Sequence, residues 1–240
     1  MANDQIRKDK PGSAERAADM LIRVFEGKIK DGALRDGDPL PPEREIVETY
    51  GVSRTVVREA VQALANRGLV EARPRFRPVV RRPSYEAAME MVSAVVTQLL
   101  NEKGGVRNLF ETRILIEAGL VRHAAKAATP SDISKLARAL HANKNAIEDS
   151  SRFYDTDRVF HRVFYEVSGN PALVAMHKAF VQWLSPHWEQ MAHLAQRNTE
   201  NFEAHQAIFD AVQKGDADAA ELSLRRHLDN AWEQVRDTFA

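Results

Sequence analysis

The sequence predicts a mostly α-helical protein of two unequal parts: three helices with a small β-hairpin, then an all-α bundle of six or seven helices. Three observations carry that prediction. Apolar residues recur at helical spacing in segment after segment. The stretch that breaks this rhythm, 69–80, holds two short apolar runs around a turn. The charge also divides. Residues 1–83 carry seventeen Lys and Arg against thirteen Asp and Glu, a net of +4, whereas residues 84–240 carry seventeen against twenty-one, a net of −4. All eight histidines fall in the second part. Opposite signs in two halves predict two jobs, one of them suited to a polyanion.

The elements follow in order. Ser13 to Lys30 reads as a helix with Leu21, Val24, Phe25 and Ile29 on one face, closed by Asp31-Gly32. Gly37-Asp38-Pro39 reads as loop. A short second helix starts near Pro42 and closes at Tyr50-Gly51. Ser53 caps a third, which runs to about Asn66 with Val57, Val61 and Leu64 inward, and Gly68 stops it. Leu69–Ala72 and Val79-Val80 flank an Arg/Pro-rich tip as a hairpin, and Arg81-Arg82-Pro83-Ser84 reads as a linker. The division predicted is 1–83 and 84–240. Beyond the linker the pattern predicts helices near 85–101, 106–127, 131–148, 151–167, 171–196, 200–213 and 216–238. The breakers between them are Gly104-Gly105, Thr129-Pro130, Gly169-Asn170-Pro171 and Gly215-Asp216.

Composition excludes several classes. No stretch of about 18 apolar residues is present, so no membrane span is expected. Met1 to Gly12 lacks the apolar run of a signal peptide, and a cytoplasmic location is the default expectation. Without cysteine there is no disulfide, thiolate nucleophile or Cys-type zinc site.

Three helices followed by a hairpin is the order of a winged helix-turn-helix, in which the third helix offers its N-terminal residues to a DNA major groove. Ser53, Arg54 and Thr55 form its first turn, and Arg58 shares a face with Arg54. Arginine suits guanine edges or phosphates, and hydroxyls at a helix N-terminus suit phosphate oxygens. Arg73, Arg75 and Arg77 add three cations at the hairpin tip, where a wing meets backbone or minor groove. The alternative is that Arg54 and Arg58 form an ordinary solvated face.

Leu40-Pro41-Pro42-Glu43-Arg44-Glu45, Gly51 to Ala60 (Gly-Val-Ser-Arg-Thr-Val-Val-Arg-Glu-Ala) and Gly68-Leu69-Val70-Glu71 together resemble the GntR superfamily of bacterial regulators over residues ~14–82. The resemblance implies DNA contacts at Arg44, Ser53, Arg54, Thr55 and Arg58. Two departures stand out. Pro42 replaces a frequent serine, leaving the second helix without a side-chain cap, for which proline at the first helical position compensates in part. Arg-Pro-Arg-Phe-Arg-Pro also replaces a glycine-rich wing tip, so arginine side chains rather than bare backbone are expected to make any contact there.

In the second part, Phe153, Asp157, Phe160, His161 and Phe164 fall on one helical stripe. A carboxylate on an apolar stripe is costly unless paired or metal-bound. Asp157 and His161 are i,i+4 and can reach one ion. His205 lies between Phe202 and Phe209, and His227 lies beside Leu224 and Leu228, both on inward faces. Three helices are thus able to aim ligands at one point. Taken singly, each histidine reads equally as a hydrogen-bonded core residue, and periodicity leaves metal and filler open. His123, His141, His177, His187 and His193 read as structural or surface residues.

Arg113…Glu117, Asp157-x3-His161, Gly169-Asn170-Pro171, His205 and His227 resemble the FCD-type effector domain of the FadR branch of the same superfamily, over 106–235. Phe110 to Arg113, Leu120 to Ala125 and Phe160 to Val163 are similar to the branch's sialic-acid-responsive repressors. The resemblance implies a divalent metal on Asp157, His161, His205 and His227, with zinc first and nickel, iron and manganese also compatible with such donors. It further implies a small carboxylate effector, such as a sugar acid, that meets Arg113. The other reading of Arg113 is an ion pair with Glu117, one turn away.

The expected function is therefore a ligand-responsive transcriptional regulator, a repressor that reads a palindromic double-stranded operator as a homodimer. The competing expectations are a metal-dependent hydrolase or lyase built on the Asp/His set, and an architectural DNA binder. Neither a His-Glu-x-x-His motif nor a general base beside the proposed ligands supports the enzyme.

Overall fold

The computed structural model describes residues 11–188 and 195–236. Most of the Met1–Gly12 segment, expected not to be a signal peptide, and His193 lie outside that range. The chain is mostly helical and divides into two compact units, one ending at Ala88 and the other beginning at Met89.

In the first unit, α1 (Pro11–Lys30), α2 (Glu43–Tyr50) and α3 (Arg54–Asn66) precede β1 (Val70–Glu71) and β2 (Val79–Val80). Leu21, Phe25, Leu40, Ile46, Val57, Leu64, Val70 and Val80 form its core. Burying each such large side chain contributes about 1.5–3 kcal/mol, which gives this small head its cohesion. The helix order is as expected, with one shift. Pro42 occupies the N-cap of α2 rather than its first turn, and it offers no side-chain cap. Glu43 and Glu45 in that first turn place negative charge on the positive end of the helix dipole. Gly51 ends α2 with φ of 65°, in the left-handed region glycine adopts freely. Ser53 then caps α3, its Oγ accepting from the Val56 N–H at 3.3 Å.

β1 and β2 pair antiparallel, with Val70 opposite Val80 and Glu71 opposite Val79. The segment expected as plain loop joins them. Val80 N–H donates to Asp38 O at 2.8 Å, Gly37 N–H to Val80 O at 3.0 Å, and Leu40 N–H to Pro78 O at 2.8 Å. Residues 37–40 thereby cover the open edge of β2. Two residues of pairing around a proline leave no alternating pattern to read in the sequence.

The second unit contains most of α4 (Tyr85–Leu100), then α5 (Gly105–Ala127), α6 (Pro130–Lys144), α7 (Ser150–Val167), α8 (Pro171–Trp188), α9 (Ala195–Lys214) and α10 (Ala217–Val235). Helices α5, α6, α7, α9 and α10 supply the main core, from Val121 and Leu136 to Phe160, Phe164, Ile208, Leu224 and Leu228. The α4–α5 turn depends on glycine. Gly104 has φ of 82°, and a Cβ at Gly105 would fall 2.0 Å from the Leu99 carbonyl oxygen. Asp149 and Asp216 cap α7 and α10, fixing where the stripes of Asp157, His161 and His227 begin. Two boundaries differ from expectation, and a third lies outside the described residues. α6 stops at Lys144 because residues 145–148 form turns that still bury Ala146, so the apolar rhythm ran on past the helix. α8 is described only to Trp188, and the remainder of the expected 171–196 helix to residue 194 lies outside the described residues. α9 starts at Ala195, five residues before the expected position. Among the described residues no helix is long and apolar enough to cross a membrane.

Candidate metal centre and DNA-reading surface

Asp157 and His161 on α7, His205 on α9 and His227 on α10 come together inside the bundle, with one donor atom from each lying within 4.8 Å of the others. His161 and His205 are fully buried and His227 nearly so. His227 Nε2 lies 3.3 Å from His161 Nε2 and 3.1 Å from His205 Nε2. Asp157 Oδ1 is 3.2 Å from His205 Nε2. Phe160 stacks on the His205 ring at 4.5 Å between centroids.

The outer ring nitrogens set the direction of the inner ones. His161 Nδ1 lies 2.5 Å from Glu117 Oε2. Burial alone raises the Glu117 pKa, but the Arg113 guanidinium and His161 outweigh it and hold the carboxyl well below its ordinary range. It is therefore an acceptor, and Nδ1 donates. His205 Nδ1 lies 2.9 Å from Asn143 Oδ1. The Asn143 amide donates to Thr156 Oγ1 at 3.0 Å and Phe153 O at 3.3 Å, which leaves its oxygen as the acceptor and His205 Nδ1 as donor. A neutral imidazole donating through Nδ1 carries its lone pair on Nε2. The Nε2 lone pair of His205 consequently faces the Asp157 carboxylate and His227 Nε2. Burial pushes the pKa values of His205 and His227 down, which keeps the protons off these two rings' inner lone pairs. A hydrogen on His227 Nε2 serves one neighbour at most, and His227 Nδ1 has no hydrogen-bond partner. Facing lone pairs in a dry interior are unfavourable without a cation between them. The donor set of three imidazoles and a carboxylate, each outer nitrogen held by its own acceptor in two of three cases, fits a divalent transition ion.

Arg113 and Glu117 form the ion pair that one sequence alternative called for, Arg113 Nε to Glu117 Oε1 at 2.7 Å, with both side chains buried. Tyr165 OH donates to the same oxygen at 3.1 Å. Asn143, Tyr165 and the bridging role of Glu117 were not foreseen. Their only sequence signal was a polar residue on an otherwise buried face. His177 packs on Tyr165, and burial lowers its pKa to about 4. His123 and His141 are exposed.

In the first unit every residue expected to touch DNA from the second and third helices is exposed: Arg44, Ser53, Arg54, Thr55 and Arg58. Arg58 Nε pairs with Glu43 at 3.0 Å, and Arg54 lies 3.8 Å from the same carboxylate. Arg44 pairs with Glu48 one turn on. Exposed pairs of this kind are worth about 1 kcal/mol or less and exchange readily for a phosphate or base edge. The wing arginines differ among themselves. Arg73 and Arg81 share Glu71, Arg77 Nη2 donates to Leu40 O at 2.6 Å, and Arg75 has no partner among the described residues. The tip closes through Phe76 N–H to Arg73 O at 3.2 Å. Arg75 has φ of 67° and, among the described residues, is the one non-glycine with positive φ. Proline second and positive φ third is the pattern of a type II turn, whose third place favours glycine.

Comparison with known proteins agrees with this division of labour. Residues 17–80 match the model for "Bacterial regulatory proteins, gntR family" and residues 108–230 match that for the "FCD domain". The chain is 33% identical to the HTH-type transcriptional repressor NanR of Cronobacter sakazakii, over 93% of this chain and 86% of that one. It is 34% identical to NanR of Klebsiella aerogenes, over 91% and 85%. Two solved structures share the fold. A Streptococcus agalactiae GntR protein covers 92% of this chain and 99% of its own at a TM-score of 0.58 and 22% identity. E. coli McbR/YncC covers 93% and 99% at 0.55 and 18%. The relatives are regulators of transcription, and the hydrolase or lyase alternative gives way on that ground. The chain belongs to the gntR family of bacterial regulatory proteins, as a member that carries the FCD domain.

Proposed function

We propose that this chain is a repressor whose residues 1–83 read a palindromic operator and whose residues 84–240 dimerise and bind a metal and a small carboxylate effector in the cytoplasm. The observation that carries the sensing half is the convergence of three imidazole nitrogens and the Asp157 carboxylate on one buried point. Asp157, His161, His205 and His227 would hold the ion, zinc before nickel, iron or manganese. When bound, it would supply a Lewis-acidic centre to which an effector carboxylate can coordinate. Arg113 is the proposed second contact for that carboxylate. It sits one turn from Glu117, which in turn holds His161, and the charge of Asp157 reaches it. The likeness of Phe110–Arg113, Leu120–Ala125 and Phe160–Val163 to sialic-acid-responsive repressors favours a sialic acid or similar sugar acid. Dimerisation is supported by α4, where Met91, Val95 and Leu99 recur one turn apart with Val92 beside them, all roughly half-exposed.

On the DNA side, Arg44, Ser53, Arg54, Thr55 and Arg58 are the proposed contacts of the helices, with Arg73, Arg75 and Arg77 at the wing. A duplex enriched by the full-length chain from a random pool tests this assignment. Its affinity is expected to fall steeply with salt, because phosphate contacts release counterions. Arg54→Ala and Arg58→Ala are each expected to weaken binding by about ten- to a hundredfold, the loss of one bidentate contact, while melting as the wild type does. Wild-type gel shifts from both variants would remove these residues from the interface.

A further inference from the structure

Two side chains of the wing tip add nothing to the packing of the fold. Phe76 is 75% exposed, more than any other large apolar side chain among the described residues. Beside it Arg75 holds a backbone conformation that glycine adopts more easily. The turn needs that conformation and glycine would supply it at less cost, so the arginine side chain is the part that points toward function. The neighbouring cations are already engaged, Arg73 with Glu71 and Arg77 with the Leu40 carbonyl, whereas Arg75 is not. The tip therefore exposes one uncommitted guanidinium and one aromatic ring on consecutive residues.

Their position gives them a common target. A cleft of about 490 Å³ separates α3 from the wing, with Arg58 and Gln62 on one wall and Arg73, Pro74 and Phe76 on the other. A duplex that takes α3 in its major groove presents the adjacent minor groove across a single sugar–phosphate strand. Glu43 also lines the cleft and pairs with Arg58, as Glu71 pairs with Arg73, so both arginines must exchange an exposed partner for that strand's phosphates, and a tip beyond it meets the minor groove. Narrow A·T minor grooves concentrate negative potential and attract arginine. Proteins that enter them insert apolar wedges such as phenylalanine between base steps, which unstacks and kinks the duplex.

We propose that Arg75 and Phe76 form a minor-groove wedge: the Phe76 ring opens one base step while the Arg75 guanidinium lies in the groove beside it. Resting on the DNA-binding reading above, the proposal adds that the operator is kinked beneath each wing. It also adds that the step there is a flexible pyrimidine–purine one, TA or CA/TG, flanked by A·T pairs. Specificity then arises at positions α3 never touches. The competing arrangement has Phe76 folding across the α3 cleft as a lid, indifferent to the bases.

The test uses the full chain and the duplex it enriches from a random pool, labelled at its ends with a donor–acceptor dye pair and carrying 2-aminopurine at candidate steps. Wild-type binding is expected to shorten the end-to-end distance and to raise 2-aminopurine emission at one step beneath each wing. Phe76→Ala should abolish both signals and weaken binding about tenfold, in the range of removing one aromatic stack on a base. Phe76→Leu should keep part of each, since leucine also serves as a wedge. Arg75→Gly should keep the kink but lose the preference for A·T flanks. Both positions are exposed, so unchanged thermal melts are expected. A Phe76→Ala protein that bends the duplex as the wild type does and binds it within about twofold overturns the wedge while leaving DNA binding intact. A wild-type chain that enriches no duplex overturns the DNA-binding reading itself, and the wedge with it.

Discussion

His161→Ala/His205→Ala is expected to abolish stoichiometric metal binding and to lower the thermal midpoint of the helical unit by roughly ten degrees. A ligand that binds only the folded state stabilises it by RT ln(1 + [L]/Kd), about 4 kcal/mol when free metal exceeds Kd a thousandfold. Each kilocalorie moves the midpoint of a unit this size by about 2–4 °C. The two residues contribute two of the three converging nitrogens, and the remaining Asp157 and His227 form too sparse a set to hold the ion. Chelation should lower the wild-type melt and leave the variant's unchanged. Elemental analysis checks the same claim. A wild type with less than about a tenth of an equivalent of transition metal after reconstitution, or a melt indifferent to chelator, would count against the site.

Arg113→Ala is expected to cost about 3–5 kcal/mol in urea denaturation, because it leaves a buried carboxylate short of its cation. Glu117 is fully buried and accepts from Arg113, His161 and Tyr165. Without the guanidinium, burial pushes its pKa up and the carboxyl drifts toward the neutral form. Arg113→Met/Glu117→Leu should be less costly than Arg113→Ala, since replacing both partners with apolar side chains avoids the stranded charge. The double variant also removes the acceptor that orients His161, and metal affinity should fall about 10–100-fold. A loss below about 1 kcal/mol for Arg113→Ala would place the pair among weak surface contacts, contrary to its burial.

How much of this was legible in the sequence depends on the range of the interaction. The α7 stripe was legible because Phe153, Asp157, Phe160, His161 and Phe164 sit on one continuous helix, where spacing translates directly into direction. His205 and His227 could be placed on inward faces by their flanking apolar residues. Periodicity does not rotate three helices against one another, so their convergence became visible only in three dimensions. Asn143 was illegible for the same reason. It belongs to α6, and what makes it matter is the His205 ring sixty-two residues on. Arg113 shows the opposite case. Its i,i+4 partner was in plain view, yet spacing alone does not say whether a guanidinium points at its neighbour or at a ligand. The head was legible through its caps and turns, Ser53 and Gly51 above all. The covering of β2 by residues 37–40 was not, because three backbone hydrogen bonds leave no side-chain pattern. At the wing, the departure from glycine was visible in the sequence. Which arginine stays uncommitted depended on Glu71 and the Leu40 carbonyl.

The central claim is that the helical unit reports an effector to the DNA-reading unit through the Asp/His site. It is tested most directly by fluorescence anisotropy of the enriched duplex with metal-loaded protein, titrated with N-acetylneuraminate. A coupling of about 1–3 kcal/mol corresponds to a 5- to 150-fold change in affinity. The expected result is a loss of duplex affinity of at least about tenfold in the wild type, with none in His161→Ala/His205→Ala. Identical binding curves for the wild type at every concentration, or equal release from the double variant, would contradict it.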